Sequence, residues 1–281
     1  MVPLDVAGSR SCVLLGDHLQ LPPTVFHPEA DDLQINRSMF ERLCVLGHQP
    51  DLLEEQYRMA PAISAFPRKH FYGGRLLDAP SVSERRQTKL VPSFLLLDLK
   101  SHAVQTASGS WQNQEEAKFC ARLAAELQST SLSASNDVLA RDIGIITPYK
   151  AQQFLIESAL NRRKLQFPVR VATVDSYQGQ EFEAVICSTV RASHNSRSGI
   201  GFVADERRLN VALTRARECL LVVCHAQTVA QSKTLAALLE HAQQQRAFRT
   251  RPFCRCLWWC MPANKPIFAS TYMTAFDCAD G

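Results

Sequence analysis

The stretch Asp205–Arg217, Asp-Glu-Arg-Arg-Leu-Asn-Val-Ala-Leu-Thr-Arg-Ala-Arg, places four guanidinium groups within thirteen residues. A guanidinium is a planar, permanently charged fork that matches the paired oxygens of phosphate and carboxylate. Read as a single helix, the stretch puts Leu209, Ala212, Leu213 and Ala216 on one face. Arg208 and Arg215, seven apart, then share a neighbouring face. Two aligned arginines predict an anion site; the plainer alternative is an amphipathic helix with solvated arginines.

Four other clusters carry comparable chemistry. Gly16-Asp17-His18-Leu19-Gln20-Leu21-Pro22-Pro23 puts a neutral amide on a rigid loop, and Gln20 can donate to a phosphate oxygen or orient a water. In Gln56-Tyr57-Arg58 an aromatic ring stands beside a guanidinium, so Tyr57 can stack on a base while Arg58 pairs with a phosphate. Thr147-Pro148-Tyr149-Lys150 lies where a helix begins, and backbone N–H groups, hydroxyls and a lysine together favour phosphate there. In Thr173–Glu181, Gly179 permits a tight turn, Glu181 can accept from ribose hydroxyls, and Ser176 and Gln178 can reach a nucleic-acid backbone. Each has a structural alternative: a polar turn, a surface Tyr–Arg pair, a helix cap, a loop.

These residues need elements to hold them. Apolar runs predict strands at 11–16, 94–98, 143–147, 169–174, 184–190 and 220–224, and 3.6-residue periodicity predicts helices at 38–46, 61–70, 113–128, 150–161, 205–217 and 228–243. Asn113 and Glu116 suit a capping box, with Ala117, Cys120, Ala121, Ala124 and Leu127 as the buried face. Residues 78–93, 101–110 and 129–135 read as loops. Nearly continuous apolar strands alternating with amphipathic helices predict an α/β fold, a mainly parallel sheet covered on both faces. Ligands in such sheets bind beyond the carboxyl ends of the strands. Gln20, the loop at Thr147 and the loop at Asp175 all follow predicted strands.

Composition narrows the class. With 281 residues, 46% hydrophobic and 21% charged, the chain can bury a sizeable core. The formal charge of +4, from 31 basic and 27 acidic residues, is compatible with a polyanion partner and demands none. No apolar leader and no run of eighteen apolar residues occurs, which argues against a membrane span and predicts an intracellular, reduced chain. Cys12, Cys187, Cys219 and Cys224 sit in apolar runs and read as buried thiols. Cys254, Cys256, Cys260 and Cys278 do not match a zinc spacing, and the eight histidines are scattered.

Taken in order, Gly16–Pro23, Gln56–Met59, Ile145–Gln152, Val174–Glu181 and Arg207–Arg217 resemble the later motifs of superfamily-one helicases, with closer similarity to the Upf-type group. The likeness runs from residue 1 to about 245. It implies RecA-like domains with ATP and Mg2+ in the cleft between them, a single strand of RNA or DNA across their tops, and RNA-surveillance proteins among the partners. By the same likeness Gln20 senses the γ-phosphate, Tyr57 stacks near adenine, Arg58 and Arg215 act as arginine fingers, and Glu181 approaches the ribose. Thr147, Pro148 and Tyr149, with Asp175, Ser176 and Gln178, would hold the strand.

One departure qualifies the likeness. The chain contains no Gly-x-x-x-x-Gly-Lys-Ser/Thr phosphate loop and no Asp-Glu magnesium motif. The expectation is therefore a remnant of the first RecA-like domain at 1–50, a complete second one at 51–245, and an unassigned Cys/Trp-rich tail at 246–281. Little ATPase activity is expected of this chain alone. Two readings stay open, the carboxyl-terminal motor portion of a helicase and a non-catalytic, nucleic-acid-binding relic of one.

Overall fold

A computed structural model describes residues 8, 11–23, 25, 33, 35–84, 91–133, 137–192, 201 and 205–250. In chain order the elements are α1 Met39–Val45, β1 Glu55–Gln56, α2 Pro61–His70, β2 Leu77–Asp78, α3 Pro80–Glu84, β3 Phe94–Asp98, β4 Val104–Gln105, β5 Trp111–Gln112, α4 Gln114–Ser133 and α5 Asp137–Arg141. They continue with β6 Ile143–Thr147, α6 Lys150–Asn161, β7 Arg170–Thr173, a 3₁₀ turn at Asp175–Tyr177, β8 Phe182–Ser188, α7 Glu206–Leu213, β9 Ala216–Cys224, α8 Ala226–Val229, α9 Lys233–Gln244 and β10 Phe248–Thr250.

Six strands form one sheet in the order β10-β3-β9-β8-β6-β7, parallel at every pairing. The expected α/β class is therefore what forms. The central strands lack alternation because both faces are covered: Leu96, Leu97, Ile145, Ile146, Val185, Ile186, Leu221 and Val223 are all almost fully buried. Ala117, Cys120, Ala121, Ala124 and Leu127 of α4 pack into the same core. Pro61 begins α2, where its missing N–H costs nothing.

Several expectations fail for physical reasons. Ser11–Gly16 forms no strand; Val13 and Leu15 are 84% and 90% exposed, and Cys12 is exposed too. Without a neighbouring strand to pair its N–H and C=O groups, an apolar run has no reason to stay extended and buried. Cys187, Cys219 and Cys224 are buried as expected. The polar stretch 101–110 folds into part of a hairpin instead of a loop, with Val104 opposite Gln112 and Gln105 opposite Trp111. Helix α4 runs on to Ser133, since an interior serine costs only tenths of a kcal/mol, well under ~1. Residues 78–84 include a strand end and α3, with Ala79 and Val82 buried. Beyond the last predicted helix, β10 adds an edge strand beside β3.

The largest correction concerns the arginine-rich stretch. Helix α7 stops at Leu213, and Thr214 leaves the helical path with its N–H on Val211 O and its hydroxyl on Asn210 O. Arg215 O then accepts from Phe182 N at 3.0 Å, so strand pairing has begun two residues past the end of the helix. Arg208 and Arg215 therefore do not share a helix face. The N-terminus is as expected, Asp205 accepting from Arg207 N and Arg208 N.

Candidate functional site

Gln56 organises the first cluster. Its buried side chain accepts from Arg58 N at 3.0 Å and Met59 N at 2.7 Å, and donates to Met59 O at 2.6 Å and Asp78 Oδ1 at 2.7 Å. That fastened turn leaves Tyr57 62% exposed, with its hydroxyl on Glu55 Oε2 at 2.6 Å. Next along, Ala60 N donates to Arg217 O at 2.9 Å, which seats the segment beside the start of β9. Arg58 consequently reaches Glu181, Nε to Oε2 at 2.6 Å, and Thr214 O at 3.2 Å. The Arg58 hydrogen bond holds the Glu181 carboxyl below its ordinary range, with Arg58, Arg217 and Arg215 charge adding to the effect.

Arg215 is 2% exposed. Its guanidinium donates to Val211 O at 3.0 Å, Thr214 Oγ1 at 2.9 Å, Gln20 Oε1 at 3.2 Å and Gln180 O at 3.4 Å. Every one of these acceptors is neutral. Burial, and then the neighbouring Arg58 charge, push its pKa down to about 10, so it stays protonated at neutral pH. A buried cation without a bonded carboxylate is costly, and it is an arrangement suited to receiving an anion.

Gln20 comes to Arg215 in a fixed orientation. Its Nε2 donates to Asp17 Oδ2 at 2.8 Å, which turns Oε1 toward the guanidinium. Asp17 also accepts from Leu19 N at 3.0 Å and from the Tyr72 hydroxyl at 2.6 Å. Asn210 Nδ2 closes the network on Leu19 O at 3.0 Å and Tyr72 Oη at 3.1 Å. Burial and Asp17 raise the Tyr72 phenol to about 12. Glu41 adds a second tie from the early segment, its two oxygens receiving Arg207 at 2.6 and 3.2 Å.

The other loops lie at the opposite end of the sheet. Thr147 and Thr173 close the adjacent strands β6 and β7, and Val174 N donates to Thr147 O at 3.2 Å. Thr147 is wholly buried, and its hydroxyl finds no partner among the described residues. Pro148 and Tyr149 are partly exposed, while Asp175, Ser176 and Gln178 lie on the surface. Asp175 Oδ1 accepts from Arg208 Nε at 3.3 Å, and the Ser176 and Thr173 hydroxyls meet at 3.1 Å.

The predicted residues thus divide into two groups. Gln20, Arg58, Glu181 and Arg215 converge, with Tyr57 at their rim. Glu181 and Arg215 each stand immediately before a strand, β8 and β9, so this group sits at amino ends, contrary to the carboxyl-end expectation. A bulge lies in the same place: Phe182 pairs with Ala216 but Ala184 with Cys219, one extra residue in β9. Asn210, Tyr72 and Asp17 were not singled out by sequence reasoning. Asn210 lies inside the arginine-rich stretch and Asp17 three residues before Gln20, but nothing in the spacing of Tyr72 points to them. Among the described residues, no three Asp, Glu, His or Cys side chains converge on a metal position. The tail cysteines Cys254, Cys256, Cys260 and Cys278 fall outside the described residues.

Residues 35–227 match the family described as AAA domain. The chain is 34% identical over 265 residues to the Arabidopsis thaliana protein named Regulator of nonsense transcripts 1 homolog, covering 90% of this chain and 20% of that one. It is 35% identical to the ATP-dependent helicase upf1 of Schizosaccharomyces pombe, covering 87% of this chain and 27% of the relative. With the ATP-dependent helicase NAM7 of Saccharomyces cerevisiae the identity is 33%, over 87% of this chain and 26% of the relative. The chain therefore spans between a fifth and about a quarter of the length of these relatives. With an all-parallel sheet, the ordered motifs and these similarities in agreement, this chain belongs to the AAA domain family, in its Upf-type superfamily-one helicase group.

Proposed function

We propose that the chain is the carboxyl-terminal motor portion of an ATP-dependent helicase that moves along single-stranded RNA or DNA. The observation that carries this reading is Arg215, a buried guanidinium bonded only to neutral acceptors, one of which is the amide of Gln20. In phosphoryl transfer negative charge spreads onto the equatorial oxygens, and preorganised cations there lower the barrier. Arg215 supplies one such cation. Arg58 supplies a second once it exchanges Glu181 for phosphate, and the released Glu181 is then free to accept from ribose hydroxyls. Tyr57, exposed beside Arg58, offers its ring to adenine. Gln20 ties the early segment to the same phosphate, and its loss on hydrolysis loosens the contact between the two segments.

At the other end of the sheet, Pro148, Tyr149, Ser176 and Gln178 hold the strand, with Thr147 supporting the loop from beneath and Asp175 anchored by Arg208. Residues 1–50 belong to a first RecA-like domain and 51–245 make up the second, whose sheet β10 extends at its edge to Thr250; the rest of 246–281 carries no assigned role. The convergent side chains suit the anionic phosphates of ATP. Among the described residues, no carboxylate cluster suits Mg2+. No described helix is long and apolar enough to cross a membrane. The motor is intracellular, and RNA-surveillance proteins are its partners.

The test is phosphate release with poly-uridine, measured on this chain alone and on the chain extended by an upstream phosphate-loop segment. The motor reading expects activity that poly-uridine stimulates in the extended protein only. A non-catalytic relic stays silent in both.

A further inference from the structure

Between the loop at Thr147 and the turn after β8 stands the β4–β5 hairpin, which no motif accounts for. Ser110 Oγ accepts from Ala151 N at 3.3 Å, capping the start of α6, where the N-cap residue Tyr149 makes no side-chain cap. At the hairpin base, Ala103 N donates to Ala192 O at 3.2 Å. The hairpin is thus fastened to both neighbours, and its tip turns through Gly109 at φ 81°. On β5, the partly exposed Trp111 lies against Arg191, whose guanidinium carbon is 3.7 Å from the ring centroid. Arg191 is 4% exposed. Tyr149 and Arg191 approach one another around Gly201: a Cβ there would be 3.2 Å from the Tyr149 hydroxyl and 3.6 Å from Arg191 Nη1. Two aromatic rings and a guanidinium therefore gather at the carboxyl end of the sheet, beside loops read above as holding a strand.

We propose that Trp111, backed by Arg191, is a stacking platform for an unpaired base of the bound strand. The proposal rests on the reading of this end as the strand-binding face. The chemistry follows from the pieces. An indole stacks on the π-face of any base without regard to sequence, and a guanidinium against its other side fixes the ring and adds cation–π attraction. A hairpin capped onto α6 holds that ring in place before the strand arrives, so little ordering is lost on binding. Stacking engages the base and leaves the phosphates untouched, which separates it from every lysine or arginine contact on the same face.

Fluorescence anisotropy with labelled oligouridylate and an abasic strand of equal length tests this on the full chain. Wild type should bind oligouridylate at least about fivefold tighter, the lower end of what one stacked base contributes. Trp111→Leu should erase that preference and leave both abasic affinity and the salt slope unchanged, while Trp111→Phe should keep most of the preference. Equal binding of the two strands by wild type, or a Trp111→Leu variant that keeps the preference or weakens both strands alike, overturns the proposal. Failure of wild type to bind either strand refutes the strand-binding reading itself. If Trp111→Leu does not melt cooperatively, Trp111 is made the sole indole by Trp258→Phe and Trp259→Phe. Oligouridylate must then quench its emission and the abasic strand must not; equal quenching, or none, overturns the platform.

Discussion

Arg215 and Glu116 are buried ionisable side chains of opposite sign, and the two are satisfied differently. Arg215 keeps its charge by donating to four neutral acceptors. Glu116, fully buried, accepts from the Ser188 hydroxyl at 2.7 Å and Val190 N at 2.8 Å, and burial raises its pKa from 4.5 to about 7. An acid whose folded pKa is raised binds its proton more tightly folded than unfolded, so stability falls as pH climbs from about 4.5 through about 7. Melting curves at pH 5 and pH 8 should show Glu116→Gln losing much of that fall and, at pH 8, exceeding wild type by up to about 3 kcal/mol. Equal pH dependence in both proteins would refute the assignment. The sequence pattern pointed to a capping box at this residue, and half of it forms: Asn113 Oδ1 accepts from Glu116 N at 3.0 Å, but the Glu116 carboxylate turns to β8. Local spacing marks the cap residue. It cannot show that a distant strand end supplies better donors.

At the scale of elements, α7 is the piece that meets both groups of residues. Its N-terminal Arg208 pairs with Asp175 and its C-terminal end delivers Thr214 and Arg215 to the other cluster. Eight residues make it on the order of 12 Å long. Its start lies where the arginine-rich stretch begins, capped by Asp205; its end was not legible, because a hydrogen bond from Phe182, far away in sequence, draws Arg215 into the sheet. Ser11–Gly16 fails in the same way, since an apolar run announces a strand only where another strand can pair with it. Packing around β6 gives a sharper test. A Cβ on Gly144 would lie 3.0 Å from the Phe182 ring and 3.2 Å from that of Tyr177. Gly144→Ala should therefore cost about 1–3 kcal/mol by overpacking, read as a lower denaturant midpoint at unchanged slope. A midpoint equal to wild type would show that these rings yield freely.

Across the whole molecule, the alternation of apolar strands and amphipathic helices was enough to read the parallel α/β class. The order β10-β3-β9-β8-β6-β7 was not legible, because neighbours such as β3 and β9 are far apart in sequence and periodicity carries no record of pairing. The five ordered motifs indicated which residues to watch, and the sheet then separated them to its two ends, those proposed for phosphate at the amino ends of β8 and β9 and those proposed for the strand beyond the carboxyl ends of β6 and β7. The central claim is that Arg215 is a finger for ATP. It is tested most directly by poly-uridine-stimulated phosphate release from the phosphate-loop-extended chain, wild type against Arg215→Ala. The account predicts a fall in rate of about 10³–10⁵; near-wild-type hydrolysis by the variant would contradict it.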